Sequence, residues 1–410
     1  MSLERLLHYV SLDGAGGVEQ QFVDFVRAAS DLSPARQAVV ACGQGIHPLV
    51  AARLDRDVPV VFEKYARGLK LPKWPRALRR QRQRHIVERN RPDVVLIWNR
   101  LRDSLDTLAA AGAERCIYWE RGASWFAGES RAKREFLASV PAIICNSHAA
   151  RRMLELRWEY AGQVRVIHNA LRPSLLPAAP PEPRQRPAGN SLTFGVVARL
   201  ESIKGVAVAL HALARLRSHG YKATLRIAGD GPERAGLRRL AQRLNITDQV
   251  VFEGLVADMA AFYSRIDLLV HPALREPFGQ IAVEAGAYGV PAVVSAVDGL
   301  VEVIEHERTG LCIEPTLDAA DYRALGGGDA DLPPYVYDPA RDTIAAPRAL
   351  DPETLCRAIM QICNDDTRYA RMSEAGLRAA RERFVFDNHV RDALASIESF
   401  IDSGRLSPSC

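Results

Sequence analysis

The sequence predicts an α/β protein with two Rossmann-like domains whose parallel sheets face each other across a cleft. Three observations predict it. The chain has 410 residues, more than one ordinary hydrophobic core organises, so two domains are expected. Apolar runs of strand length alternate with amphipathic helical segments, and the alternation occurs twice. Between the two series lies "RPSLLPAAPPEPRQRPAGNS", residues 172–191, whose six prolines read as an extended, semi-rigid linker.

The first series comprises "LLHYVSL", "QAVVACG", "VPVVFE", "DVVLIWN", "RCIYWE", "AIICNS" and "VRVIHNA". Among its helices, "VEQQFVDFVRAAS" sets Val18, Phe22, Phe25 and Ala29 on one face. The second series comprises "LTFGVVARL", "TLRIAGDG", "QVVFEGL", "DLLVHPA", "PAVVSA" and "GLCIEP". Strands apolar on both faces require helices on both sides, hence parallel sheets. Ligands of such sheets bind beyond the carboxyl ends of the strands. The pattern lapses at residues 318–350, where glycine and proline cluster; this reads as an insertion or long loop. Helices resume at "DPETLCRAIMQICN". The domains are therefore set at 1–171 and 192–385, and a helix within 386–410 crosses back to the first domain before a polar tail.

Apolar residues make up 48% and charged residues 25% of the chain, as in ordinary water-borne globular proteins. No apolar run reaches the length of a membrane span. Glu4 and Arg5 interrupt the start of the chain, which reads as a first strand rather than a signal peptide. Seven scattered cysteines without a CxxC pair suggest buried thiols, reduced in the cytoplasm, and neither a disulfide framework nor a metal site. The net charge of +5 is uneven. Residues 66–92, "ARGLKLPKWPRALRRQRQRHIVERNRP", carry ten Lys/Arg and one acid, with Leu69, Leu71, Trp74 and Leu78 interleaved. Such a stretch is either a solvated surface helix or a surface for anionic lipid, nucleic acid or an acidic substrate.

Several strand ends carry residues suited to a phosphorylated ligand. "SLDGAGGVEQ" runs from a strand through glycines into a helix, which can present backbone N–H groups to phosphate. It lacks the dinucleotide fingerprint, because the third glycine position holds Glu19. In "FGVVARLESIKGV", Arg199 and Lys204 flank a helix start and can clamp a diphosphate, or stand as ordinary surface cations. "IAGDGP", with the donor-binding candidate Gly229, is a strand, turn and helix in which Gly231-Pro232 suits the helix entry, and its role is equally well topological. In "REPFGQIAVEA", Glu276 precedes a helix and Glu284 lies within it, with the amides of Phe278, Gly279 and Gln280 between them. This arrangement suits a hydroxyl-rich, phosphorylated ligand.

In order and spacing, "GGVEQ", "VARLESIKG", "IAGDGP", "VFEGLV", "EPFGQIAVEA" and "GVPAVVSAVDGLVEVIEHERTG" resemble the family-4 retaining glycosyltransferases of the GT-B fold. The resemblance is dense over residues 192–315 and looser before them. It implies a nucleotide-sugar donor and a hydroxyl acceptor. Arg199 and Lys204 match the family's diphosphate pair, and Glu276 the acid at the donor sugar. Phe278, Gly279 and Gln280 match the backbone beside sugar and phosphates, and Glu284 the acid on the ribose. Gly16 and Gly17 match the glycines that admit the diphosphate, and Leu255 lies in the segment beside the base. The chain departs from the family at "YWERGASWF", where Glu120 and Arg121 stand in the neighbourhood of an N-domain histidine. Both are taken as catalytic candidates beside Glu276, Arg199 and Lys204.

The resulting expectation is retaining transfer from a UDP-sugar, or next a GDP-sugar, to a lipid-linked glycan or lipopolysaccharide-type acceptor at the inner membrane face. The leaving diphosphate would be stabilised by Arg199, Lys204 and helix N-termini, without cofactor or metal, since no D-x-D sits in a suitable strand-end context and "DAD" at 329–331 lies in the insertion. Nucleic acid is not an expected partner. The same architecture also serves nucleotide-sugar epimerases, phosphorylases and non-catalytic nucleotide-sugar-binding proteins.

Overall fold

Each apolar run forms a strand, and the central ones are buried at every position: Val94–Trp98 and Cys116–Glu120 present no solvent-facing side. A computed structural model of the chain describes residues 3–14, 16–101, 104–126, 128, 131–179, 181–187 and 189–407. The chain divides into two compact units, Met1–Arg172 with Phe386–Cys410, and Pro173–Val385.

Unit 1 is a parallel sheet of seven strands: β1 (Arg5–Val10), β2 (Arg36–Ala41), β3 (Val60–Phe62), β4 (Val94–Trp98), β5 (Cys116–Glu120), β6 (Ala142–Cys145) and β7 (Gln163–Val166). Their order is β3-β2-β1-β4-β5-β6-β7. One face is covered by the helix Gly17–Leu32 and the C-terminal helix Phe386–Ser403. Phe22, Phe25, Val390, Ile397 and Phe400 pack there with Trp98 and Trp119 of the sheet. The C-terminal helix is thus an integral part of unit 1.

Unit 2 repeats the plan with β8 (Ser191–Val197), β9 (Lys222–Ala228), β10 (Val250–Gly254), β11 (Leu268–His271), β12 (Ala292–Ser295) and β13 (Gly310–Ile313). Their order is β10-β9-β8-β11-β12-β13, all parallel. Its core joins β8, β9 and β11 to the helices Val206–Ser218 and Pro352–Cys363.

Two segments carry more structure than their composition shows. The semi-rigid stretch 172–191 is fastened to unit 2 by Arg184. Its Nε donates to Tyr288 O at 2.8 Å, Nη1 to Ile266 O at 2.7 Å and Nη2 to Tyr263 O at 2.9 Å. The insertion 318–350 is not an irregular loop. Asp318 caps a helix at Ala319–Ala324. A hairpin, β14 (Val336–Asp338) with β15 (Thr343–Ala345), follows, and Leu317 bridges Ala349 to close the segment. These elements are too short for hydrophobic periodicity to reveal.

The basic stretch 66–92 contains the helix Arg76–Asn90, with only Gln83, Ile86 and Val87 buried. Leu69, Leu78 and Trp74 stay exposed, Trp74 at 78%. Among the described residues no helix is long and apolar enough to cross a membrane. Cys42, Cys116, Cys145, Cys356 and Cys363 are buried free thiols, and Cys312 is partly buried; Cys410 lies outside the described residues.

Candidate functional site

In unit 2 the polar residues gather after the carboxyl ends of β8, β11 and β12. The turn after β8 is a single 3-10 turn, Ser202–Lys204, ended by Gly205. Gly205 has φ +66°, and a Cβ there would meet Pro272 O at 1.9 Å. Only glycine allows the turn to lie this close to the end of β11. Lys204 is thereby placed beside Glu276, with Nζ 2.9 Å from Oε2. His271, the last residue of β11 and 1% exposed, brings Nε2 to 2.9 Å from the same oxygen. To donate there the imidazole carries its proton on Nε2, a tautomer assigned from the hydrogen bond. Burial lowers the His271 pKa, and the contact with Glu276 opposes that only in part, so the ring is neutral.

Burial alone would raise the Glu276 pKa. The Lys204 charge and the His271 hydrogen bond outweigh it and hold the carboxyl far below the usual carboxylate range. Both partners share Oε2, while among the described residues Oε1 accepts no hydrogen bond. The backbone of Glu276 is fixed separately: its N–H donates to Asp298 Oδ2 at 2.9 Å. Asp298 is fully buried, and its Oδ1 accepts from Tyr337 N at 2.7 Å. The hairpin of the insertion is thus connected through one carboxylate to the loop that carries Glu276.

The remaining residues singled out in the sequence are distributed as follows. Arg199 is not drawn into the Lys204–Glu276 cluster; it is 73% exposed at the side chain and pairs with Glu201 at 2.9 Å. The Glu276 loop ends at Gly279, whose φ of +103° caps the helix Gln280–Ala287. A Cβ at Gly279 would press on Leu300 at 2.7 Å. Phe278 is buried, packing edge-on to Phe384, so it can offer only backbone to a ligand. Glu284 is buried in that helix and accepts from Tyr263 OH at 3.0 Å. Gly229 N donates to Gly254 O at 2.7 Å, tying the ends of β9 and β10, and Leu255 beyond them is exposed. The acids of "DAD" already serve the fold: Asp331 accepts from Ser202 N, and Asp329 pairs with Arg323.

In unit 1, Gly16 caps the helix Gly17–Leu32. A Cβ on Gly17 would have nothing within 4 Å, and one on Gly16 would meet only the Glu19 carboxylate, at 3.1 Å. Packing within the chain therefore does not demand Gly17. Glu120 and Arg121 point to opposite sides of β5, as the two-residue period of a strand requires. Glu120 lies with Tyr118, whose OH donates to Oε2 at 2.8 Å; Gly122 N at 2.6 Å and Ser124 N at 3.0 Å donate to Oε1. Burial raises its pKa against these hydrogen bonds. Oε1 thus fastens the turn after β5, and Oε2 is held by Tyr118 within the strand.

Arg121 lies with Trp119. Its guanidinium sits 4.8 Å from the Trp119 ring centroid and 5.0 Å from that of Trp98. The two indoles stack at 4.5 Å. Asn99 Oδ1 holds the backbone, accepting from Arg121 N and Ala123 N at 3.0 Å. Arg121 is 6% exposed, and among the described residues Nε and Nη2 have no hydrogen-bond partner. A cation–π contact contributes about 0.5–2 kcal/mol, whereas burying a charge costs several kcal/mol. Burial prevails and pulls the Arg121 pKa down to about 9. His271, Asp298 and Asn99 were not singled out in the sequence. The available signals were a histidine closing "DLLVH" and an Asp-Gly pair in "AVDGL".

Two family models match this chain. Residues 15–175 match the one described as Glycosyltransferase Family 4, and residues 182–325 the one described as Glycosyl transferases group 1. The chain belongs to the family-4 GT-B glycosyltransferases. This glycosyltransferase is 26% identical over 302 residues to LpsE of Rhizobium meliloti, a lipopolysaccharide core biosynthesis glycosyltransferase, covering 73% of this chain and 81% of LpsE. A glycosyltransferase structure from Rickettsia africae has the same fold, with a TM-score of 0.73 at 14% identity over 98% of this chain and all of the other. Anabaena HepE in complex with UDP-glucose superposes with a TM-score of 0.68 at 18% identity, over 96% of this chain and 99% of HepE.

Proposed function

We propose that this glycosyltransferase transfers a sugar, with retention at the anomeric carbon, from a nucleotide diphosphate sugar to a hydroxyl of a lipid-linked glycan or lipopolysaccharide-type acceptor. UDP-sugars are the favoured donors and GDP-sugars the next. The observation that carries this reading is the Lys204–Glu276–His271 cluster. An ionised carboxylate with one oxygen committed and one free is an acceptor for sugar hydroxyls. It is not a general acid, because Lys204 and His271 keep the proton off. Lys204 also has N–H groups beyond the one used on Glu276 and can donate to the leaving diphosphate, with Arg199 swinging from its exposed site to join it. Glu284 would take the ribose hydroxyls. In unit 1, the uncovered backbone at Gly16 and Gly17 suits close approach of a diphosphate.

Stabilisation of the developing diphosphate charge by these cations and by helix N-termini is the main catalytic contribution, and no metal is invoked. Similarity to LpsE favours an envelope glycan as acceptor. The UDP-glucose in HepE favours a UDP-sugar donor. The exposed Trp74, Leu69 and Leu78 among the basic residues of 66–92 suit an anionic membrane surface, which would place the enzyme peripherally on the cytoplasmic face. Turnover of Lys204→Ala and Arg199→Ala variants tests the reading. Each should lose about 2–4 kcal/mol of transition-state stabilisation in kcat/KM. Near-normal kcat/KM in both would refute the diphosphate role.

A further inference from the structure

We propose that Arg121 is an anion receptor carried by unit 1, a guanidinium seated on the Trp98–Trp119 platform and reserved for a phosphoryl group. Three observations converge on it. The charge is more than nine-tenths buried yet has no carboxylate partner; among the described residues no ion pair involves Arg121, and Nε and Nη2 are unpaired. The adjacent acid, Glu120, is turned to the other side of the strand and spent on Tyr118, Gly122 and Ser124. The platform adds one further donor: among the described residues Trp119 Nε1 is also buried without a partner, whereas Trp98 Nε1 donates to His8 Nδ1 at 3.2 Å.

Among the described residues, the rings packed on the platform with Arg121 bring no negative charge. His389 lies tilted against Trp119 with ring centroids 5.6 Å apart, and its Nδ1 donates to His168 O at 2.7 Å. Burial and the Arg121 charge together pull its pKa down to about 3, so it stays neutral. Phe25, on the same face, is apolar. A fold that needed only a filler over two indoles would be served by methionine or leucine. A forked cation there gains most from an anion that accepts from it, and planar bidentate donation fits phosphoryl oxygens. Arg121 also follows directly on β5, at the carboxyl edge of a parallel sheet, where such folds place ligands.

The phosphoryl group could belong to a diphosphate of the donor type or to a phosphate on the acceptor, and the test separates them. Binding of pyrophosphate, UDP and glycerol 3-phosphate is measured by calorimetry on the full chain, with wild type, Arg121→Met and Arg121→Lys. Arg121→Met removes the unpaired charge at similar volume and should melt no lower than wild type. It should lose about tenfold to a hundredfold in affinity for at least one of the three. Loss on pyrophosphate and UDP assigns a diphosphate; loss on glycerol 3-phosphate alone assigns a phosphomonoester. Arg121→Lys keeps the charge without the fork and should fall between the two. A folded Arg121→Met that binds all three as wild type does overturns the proposal. If that variant fails to fold, unchanged binding by Arg121→Lys does so. The role given to Arg121 rests on unit 1 alone. The same titrations on Lys204→Ala therefore test the unit 2 donor reading separately, and either can fail without the other.

Discussion

At the scale of residues, the site depends on how one carboxylate is shared. Glu276 Oε2 accepts from Lys204 and His271, each at 2.9 Å. The lysine neutralises the charge, and the neutral imidazole fixes its direction. Removing His271 would leave Lys204 able to pull the carboxylate toward itself and turn Oε1 away from the sugar position proposed for it. Misplacement by about 1 Å costs on the order of a hundredfold in rate. His271→Leu should therefore lower kcat about tenfold to a hundredfold, with KM for the donor nearly unchanged. His271→Gln retains an N–H near the position of Nε2 and should recover most of the rate. Steady-state kinetics of the two variants checks this; equal loss in both would mean that His271 merely fills space. The sequence exposed Glu276, Lys204 and Glu284 through their spacing around strand ends. It concealed His271, because a histidine closing an apolar strand looks like a core residue until its partner five positions on is brought back beside it.

At the scale of elements, turns and short segments do the positioning. The Ser202–Gly205 turn delivers Lys204, Asn99 shapes the turn that follows Arg121, and the insertion hairpin reaches the Glu276 loop through Asp298. Asp298 accepts from two backbone N–H groups with its two oxygens, so Asp298→Asn sets an NH₂ against one of them. The mismatch should cost about 1–3 kcal/mol and lower the unfolding temperature of unit 2 by roughly 2–10 °C. Because the Glu276 loop loses its tether, kcat should fall as well, even at temperatures where the variant is fully folded. Calorimetric scans paired with kinetics at low temperature check both parts. None of this was visible in residues 318–350. A six-residue helix and three-residue strands carry no measurable periodicity, and the tether joins positions 22 and 39 residues apart along the chain. The long strands were legible because burial on both faces writes continuous apolar runs into the sequence.

At the scale of the whole molecule, the chain repeats one design. Each unit is a parallel sheet with its polar residues on the loops after the strands, and each has one cation of particular standing. Lys204 in unit 2 is matched by a carboxylate, whereas Arg121 in unit 1 is not. Domain count and sheet type followed from alternation and length. The attachment of 172–191 to unit 2 through Arg184 did not, since six prolines describe a stiff chain but not what it touches. The central claim is that Glu276 reads the sugar of a nucleotide-sugar donor while Lys204 reads its diphosphate. Titration calorimetry of UDP, GDP and ADP, each with and without its common sugars, tests it most directly on wild type and Glu276→Ala. One nucleotide should bind, and its sugar-bearing form should bind more tightly to wild type. In Glu276→Ala the freed Lys204 should keep or strengthen binding of the bare nucleotide, while the gain from the sugar disappears. A gain that survives in Glu276→Ala, or a wild type that binds no nucleotide of the panel, would contradict the account.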